Sequence, residues 1–208
     1  MLILALGAAA LAQTKAGPNL LDPSTMKETA PATFTVQVET TKGPLTIKVT
    51  RALGPNGADH FYNLVRAGFF TDAAFFRVVP GFMAQFGISA RPEVSKVWAN
   101  SNIQDDPVKQ SNTRGMVSYG MVSGQRNSRS TQLFINFKDN SFLDAMGFAP
   151  FGEVTKGMDV VDKINSEYQE RPDQGAITNQ GKAYLDKNFP RIDRIVSATI
   201  VTDASAKK

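Results

Sequence analysis

The sequence predicts a mainly β protein that folds as a closed antiparallel barrel or as a sandwich. Many short segments alternate apolar and polar residues, and turns rich in glycine, proline and asparagine separate them. Two segments have the apolar spacing of an amphipathic helix. The 208 residues, 42% of them hydrophobic and 20% charged, correspond to one soluble domain with a tail or to two small domains.

Alternation of apolar and polar residues predicts the strands over 33–39, 45–49 and 192–201, and short β-rich runs predict the others. The first two, over 33–39 and 45–49, are separated by a turn at 41–44 and should form an antiparallel hairpin. The remaining strands are predicted, in chain order, over 74–79, 83–86, 116–119, 132–136, 151–154 and 192–201. So many short strands, with only two clear helices, favour a closed antiparallel barrel or a sandwich.

The two helical segments lie in the first third and in the second half of the chain. Phe61, Leu64 and Val65 are spaced three and four residues apart before Gly68, which predicts a helix of about three turns. The same spacing predicts a second helix over 158–168.

Two further segments have little periodicity. Residues 88–114 are predicted to form a long ordered loop, because turn signals interrupt them without an apolar stripe. The polar segment 169–188 is predicted to be an insertion with a short helix around 183–185.

The N-terminal 12 residues, MLILALGAAALA, form an apolar run that is too short to span a bilayer. The run ends in Ala-Leu-Ala, which fits a signal-peptidase site, although the basic residues that usually precede such a run are missing. We therefore predict a signal-like segment over 1–12 and a periplasmic or secreted location, with a cytoplasmic location as the alternative. Residues 13–32 are predicted to be a flexible linker, the domain to occupy 33–203, and 204–208 to be a tail.

Composition excludes several classes of function. The absence of cysteine excludes disulfides, thiol catalysis and thiolate metal sites, and the single histidine, His60, leaves no histidine cluster for a metal. A lone histidine on a helix is typically a surface or packing residue. The net charge of +4 is scattered, so we expect no nucleic-acid partner.

Three stretches each combine large apolar residues with an isolated polar group. They read FFRVVPGFMAQFG over 75–87, STQLFIN over 130–136, and NSFLD over 140–144 continuing to GFAPFG over 147–152. In this order they resemble the cyclophilin family, and the similarity extends from about residue 33 to residue 201.

The resemblance assigns a role to individual positions. Arg77 stands where the family has its catalytic arginine, and Gln85 lies in the same segment, so the resemblance implies that both are catalytic. The implied substrate-binding residues are Phe82, Met83, Gln132, Phe134, Leu143, Phe142 and Phe148, with Gly120 and Met121 lining a neighbouring groove. Phe142 stands where many members have tryptophan, a position associated with cyclosporin binding, and Phe148 about where many have a pocket histidine. Cyclosporin sensitivity is therefore not implied.

The resemblance implies an eight-stranded antiparallel barrel capped by two α-helices and a peptidyl-prolyl cis–trans isomerase that assists protein folding. Arg77 would stabilise the twisted amide without a covalent bond, inside an apolar proline pocket. The substrates would be proline-containing polypeptides, unfolded or partly folded. We expect no cofactor, no metal and no stable membrane insertion, and a monomer is the default.

Two other functions are open at this point. A binding module could hold proline-containing segments without turnover, because Phe142, Phe148 and the segment 169–188 could reshape the groove. A hydrolase could use Ser118, Ser130 and Asp144, but the chain has no G-x-S-x-G motif, and its histidine, His60, is distant in sequence.

Overall fold

One antiparallel sheet forms the body of the protein in this computed structural model, which describes residues 19–201. The predicted signal-like segment 1–12 and the predicted tail 204–208 lie outside the described residues. The strands are β1 Thr33–Thr40, β2 Gly43–Thr50, β3 Arg77–Val79, β4 Met83–Phe86, β5 Met116–Tyr119, β6 Leu133–Asn136, β7 Pro150–Lys156 and β8 Ile195–Val201. Their order in the sheet is β3-β4-β6-β5-β7-β2-β1-β8.

The sheet curls until its two edges meet. Ala74, just before β3, forms an antiparallel bridge with Arg194, just before β8. The N–H of Phe75 donates to the carbonyl of Asp193 at 2.9 Å, and the N–H of Ile195 donates to that of Ala73 at 2.8 Å. The mainly β antiparallel fold predicted from the sequence is confirmed.

Helix α1, Pro55–Arg66, is the predicted helix of about three turns, and it packs on the barrel interior. The helix begins with a proline, whose fixed φ is compatible with the first helical position. Phe61, Leu64 and Val65 are buried. The Phe61 ring lies 5.6 Å from the ring of Phe151 in β7, centroid to centroid. The apolar stripe therefore marks the face that closes one side of the core.

The second predicted helix is much shorter than expected. Helix α3 spans Met158–Val161 only, and the prediction of a helix over 158–168 is wrong. The N–H of Asn165 donates to Oδ2 of Asp193 at 2.6 Å instead of continuing the helix. Ile164 and Tyr168 are nevertheless buried. The apolar spacing therefore indicated which residues are buried, but these residues lie on an irregular segment and not on a helix.

Two helices lie in regions where the sequence has no clear stripe of apolar residues at helical spacing. Helix α2, Pro92–Trp98, lies inside the segment 88–114 that was predicted as a loop. Helix α4, Gln174–Asn188, replaces the short helix predicted around 183–185 and is kinked at Gly181, where φ is +59°. The two helices pack against each other. Within residues 19–201, no helix has the length and apolar character that crossing a membrane requires.

The described part of the predicted linker is attached to the domain. The indole Nε1 of Trp98 donates to the carbonyl of Leu20 at 2.8 Å, and the N–H of Ala30 donates to Oδ1 of Asp59 at 2.9 Å. Leu20 and Ala30 are both buried. Residues 19–32 therefore do not form the flexible linker that proline pairs and missing periodicity predict, because these contacts join them to α1 and α2.

Candidate active site

The β3–β4 hairpin places the predicted catalytic residues opposite each other. Arg77 and Gln85 are cross-strand partners, and the turn between the strands uses Gly81 at a φ of +69°. Gln85 is in turn the partner of Phe134 in β6. Because side chains of paired residues lie on the same face of a sheet, these three side chains share the outer face. Their neighbours Val78, Ala84 and Ile135 fill the barrel core.

An apolar cluster forms one half of the site. Met83, Phe134 and Leu143 are buried together, and Val79, Phe82 and Phe148 pack against them. The Phe134 and Phe148 rings meet edge to face, with centroids 5.6 Å apart. This cluster is separate from the barrel core and contains five of the predicted pocket residues.

Phe142 lies at the rim of this cluster. Its side chain is 59% exposed, and its ring stacks on that of Phe82 with centroids 6.0 Å apart. Leu143 follows it in a single 3-10 turn, Ser141–Leu143. The amide of Asn140 donates to the carbonyl of Phe82 at 2.9 Å and thereby ties this turn to the β3–β4 hairpin.

A partly buried polar network supports the loop that carries Leu143. Ser111 Oγ donates to Oδ2 of Asp144 at 2.5 Å, and the backbone and side-chain amides of Asn112 donate to Oδ1 at 2.9 and 2.7 Å. Desolvation would raise the pKa of Asp144, but these hydrogen bonds outweigh it and hold that pKa below its usual value. Asn112 also donates to the carbonyl of Phe148 at 2.8 Å, so the network fixes the pocket wall.

Arg77 forms the polar half of the site. Its Nε and Nη2 each lie 2.6 Å from Oε1 of Glu170, and its Nη1 donates to Oε1 of Gln85 at 3.3 Å. The guanidinium carbon lies 5.8 Å from the ring centroid of Phe82, and Nη1 lies 3.9 Å from Sδ of Met83. The charged group thus borders the apolar cluster directly.

The predicted glutamine Gln132 continues the polar contacts. Gln85 Nε2 donates to Oε1 of Gln132 at 2.8 Å, and Gln132 Nε2 donates to Oε1 of Gln174 at 3.1 Å. This series of hydrogen bonds sets the orientation of the Gln85 amide, because its oxygen accepts from Arg77 and its nitrogen donates to Gln132. Glu170 and Gln174 were not predicted as site residues, because they belong to a polar segment that is distant in sequence.

Gly120 and Met121 lie beside the polar half. Together with Arg77, Gln85 and Gln132 they line an open cavity of about 520 Å³. The N–H of Gly120 donates to the carbonyl of Gln132 at 2.8 Å, and a Cβ at Gly120 would lie 3.5 Å from Nε2 of Gln85. The cavity therefore opens directly onto the glutamine pair.

His60 is a packing residue. Its ring lies 5.5 Å from that of Trp98 and 5.9 Å from that of Tyr119, centroid to centroid. Desolvation lowers its pKa to about 4, although a backbone hydrogen bond at Ser130 opposes this shift. Ser118 is fully buried and donates to Oδ1 of Asn112 at 2.8 Å. These two residues therefore do not form the hydrolase arrangement considered above.

Comparison with known proteins decides the family. The sequence model of the family described as cyclophilin type peptidyl-prolyl cis-trans isomerase/CLD matches residues 35–182. The chain belongs to this family. It is accordingly an enzyme of the peptidyl-prolyl cis–trans isomerase class, as the three stretches predict.

Bacterial relatives and solved structures agree with this assignment. A probable peptidyl-prolyl cis-trans isomerase of Brucella abortus is 33% identical over 180 residues, covering 81% of this chain and 83% of the relative. Peptidyl-prolyl cis-trans isomerase B of Escherichia coli is 30% identical over 182 residues, covering 81% and 99%. A cyclophilin from Hirschia baltica has a TM-score of 0.62 at 19% identity, covering 86% of this chain and 78% of that one. The last comparison shows the cyclophilin fold.

Proposed function

We propose that this cyclophilin accelerates rotation about X-Pro bonds by holding the proline ring in the apolar cluster and presenting Arg77 to the amide nitrogen. The observation that carries the proposal is the contact between the two halves of the site. Nη1 of Arg77 lies 3.9 Å from Sδ of Met83, a buried member of the apolar cluster. A proline ring against this cluster would bring its nitrogen close to a charged donor.

The chemistry of the reaction suits this arrangement. An X-Pro amide resists rotation because nitrogen donates its lone pair into the carbonyl, which gives a barrier of about 18–20 kcal/mol. In the twisted state the lone pair is localised on nitrogen and can accept a hydrogen bond. A group that donates only to this state lowers the barrier, because it binds the transition state more tightly than the ground state. Lowering the barrier by about 7 kcal/mol would accelerate rotation by about 10⁵.

Arginine is well suited to be that donor. Its guanidinium stays protonated and presents several N–H groups in a fixed plane. Glu170 and Gln85 engage three of the N–H groups of Arg77, which leaves the remaining ones for the substrate. Rotation about the amide then requires neither proton transfer nor a covalent intermediate. Gln85 and Gln132 are available to hold the substrate backbone.

The substrate class is a proline-containing polypeptide. A cyclophilin-type isomerase of Cryptosporidium parvum, whose structure was solved in the presence of the dipeptide Ala-Pro, has a TM-score of 0.60 with 18% identity, covering 81% of this chain and 99% of that one. The open, exposed rim around Phe142 suits an extended chain better than an enclosed small molecule. We propose unfolded or partly folded proteins as substrates, and export as the route to them, on the signal-like pattern of 1–12.

An exchange measurement separates this enzyme from a binding module. The full chain is added to a short Ala-Pro peptide, and cis–trans exchange is measured by NMR exchange spectroscopy, with binding measured by titration. We expect exchange far faster than the uncatalysed tens to hundreds of seconds. Titratable binding of the peptide without any acceleration would replace the proposal with the binding module. An Ala-Ala peptide is the matched control for binding.

A further inference from the structure

Glu170, in the segment between α3 and α4, contacts the proposed catalytic group, and Gln174, the first residue of α4, contacts its glutamine support. Glu170 binds the Nε and Nη2 edge of Arg77, and Gln174 accepts a hydrogen bond from Gln132. We propose that Glu170 and Gln174 are positioning residues for the isomerisation, acting through Arg77 and Gln85. This inference rests on the proposed function, and the test below separates the two.

The backbone brings Glu170 to Arg77. The N–H of Val78, which follows Arg77 in β3, donates to the carbonyl of Gln169 at 3.2 Å. Gln169 has a φ of +47°, a left-handed conformation that residues other than glycine seldom adopt. The residue before Arg77, Phe76, is buried in an apolar cluster with Tyr168. Strand β3 and the segment bearing Glu170 are therefore joined on both sides of Arg77.

Glu170 restricts the arginine without occupying the proline site. Arginine has a long side chain whose rotamer freedom must be lost before it can act in one geometry. The side chain of Arg77 is 31% exposed and therefore needs an external restraint. Glu170 supplies one at the Nε and Nη2 edge, while Nη1 remains directed at Gln85 and Met83. The carboxylate of Glu170 is 62% exposed, so solvent screens its charge.

Gln174 fixes the other end of the polar chain. Arg77, Gln85 and Gln132 each donate to the next amide oxygen, and Gln174 is the last acceptor. An amide that accepts on one side and donates on the other cannot flip without losing both hydrogen bonds. Gln174 therefore favours the orientation in which Gln85 presents its oxygen to Arg77.

Helix α4 holds Gln174 firmly. Its N-cap residue Asp173 accepts a hydrogen bond from the N–H of Ala176 at 2.6 Å. Ile177 and Leu185 are buried in the same apolar cluster as Phe76. The helix that carries Gln174 is thus packed directly behind the strand that carries Arg77.

The test compares Glu170→Ala with Glu167→Ala. Glu167 lies on the same segment and carries the same charge, but it pairs with Arg191, so its variant controls for net charge and for local folding. Because a misplaced catalytic group costs up to about 100-fold, we expect Glu170→Ala to lower kcat by about tenfold with KM changed less than about twofold. Glu170→Gln, which keeps one acceptor, should recover part of this loss. Glu167→Ala should stay within about twofold of the parent.

A double-variant cycle decides whether Glu170 acts through Arg77. In an Arg77→Ala background, Glu170→Ala should cause no further loss, since its target is gone. An equal loss in both backgrounds, an unchanged kcat in Glu170→Ala, or a faster Glu170→Ala would each overturn the inference. If Arg77→Ala itself retains full activity, the proposed function fails first. Gln174→Ala should show the same coupling to Gln85→Ala.

Discussion

Arg77 and Gln85 face each other across the β3–β4 hairpin, and Nη1 of the arginine donates to Oε1 of the glutamine at 3.3 Å. The glutamine also donates to Gln132 at 2.8 Å, so it holds the arginine on one side and the neighbouring strand on the other. Strand pairing sets this contact, because cross-strand partners share a face.

Removing the Gln85 amide should impair turnover while the fold persists. Gln85→Ala deletes the acceptor that holds Nη1 and leaves Gln132 without its donor, so we expect kcat/KM to fall by about tenfold or more. The measurement is exchange of an X-Pro peptide, with thermal unfolding as the check on folding. Gln37→Ala, which removes an amide on β1, is the control and should leave exchange unchanged. Equal activity in both variants would contradict the role given to Gln85.

The apolar cluster should be sensitive at Leu143 and tolerant at Phe142. Leu143 is buried, so Leu143→Ala should cost about 2 kcal/mol or more in the free energy of unfolding and should weaken proline binding. Phe142 is 59% exposed, and Phe142→Ala should change stability by less than about 0.5 kcal/mol. Chemical denaturation and peptide titration measure the two effects. Stronger loss of binding in Phe142→Ala than in Leu143→Ala would argue that the proline site lies at the rim.

Gly181 should be required for docking of α4. Its φ is +59°, and a Cβ there would collide with the carbonyl of Ala90 and lie 2.8 Å from Cδ of Pro92. Gly181→Ala should therefore cost about 2–3 kcal/mol, and turnover should fall because Gln174 moves with the helix. Gly124 is the control, because its φ is +72° and nothing lies within 4 Å of where an alanine Cβ would be. Gly124→Ala should therefore cost only the about 1 kcal/mol that a left-handed backbone conformation costs an alanine. Equal costs at the two glycines would contradict the packing of α4.

His60 should make stability depend on pH between about 6.5 and 4. Burial lowers its pKa from 6.5 to about 4 in the folded protein, so in this window the unfolded chain binds more protons than the folded one. Stability should therefore fall as the pH falls, by on the order of 2–3 kcal/mol, and level off below pH 4 as far as this residue is concerned. Denaturation at a series of pH values measures the slope. His60→Phe should remove most of the slope above the range in which carboxylates titrate, and an unchanged slope there would assign the effect to other groups.

Local sequence patterns were sufficient to predict the sheet and the hairpin that carries the polar half of the site. Alternation marks β1 and β2 because one face of each packs on the core, and the hairpin that carries Arg77 and Gln85 is contiguous in sequence. The three stretches of cyclophilin resemblance then supply Phe134 and Leu143, which join Met83 in one cluster.

The helices that support the site were harder to predict. Helix α2 has only seven residues, too few for a repeated apolar stripe, and α4 has few buried positions and a glycine kink. The ion pair between Glu170 and Arg77 joins residues 93 positions apart. A local sequence pattern cannot predict such a contact, because the contact depends on how the segment after α3 packs against β3.

The role proposed for Arg77 is tested by comparing cis–trans exchange of an X-Pro peptide in the presence of Arg77→Ala and of Arg66→Ala. Arg66 is an exposed arginine of α1 that lies over the Tyr62 ring, so its variant matches the change in charge and side-chain size. Loss of a donor aimed at the transition state costs about 10²–10³ in rate, and we predict a loss of at least about 100-fold in Arg77→Ala with parental activity in Arg66→Ala. Parental exchange rates in a folded Arg77→Ala variant would show that this guanidinium does not stabilise the twisted amide.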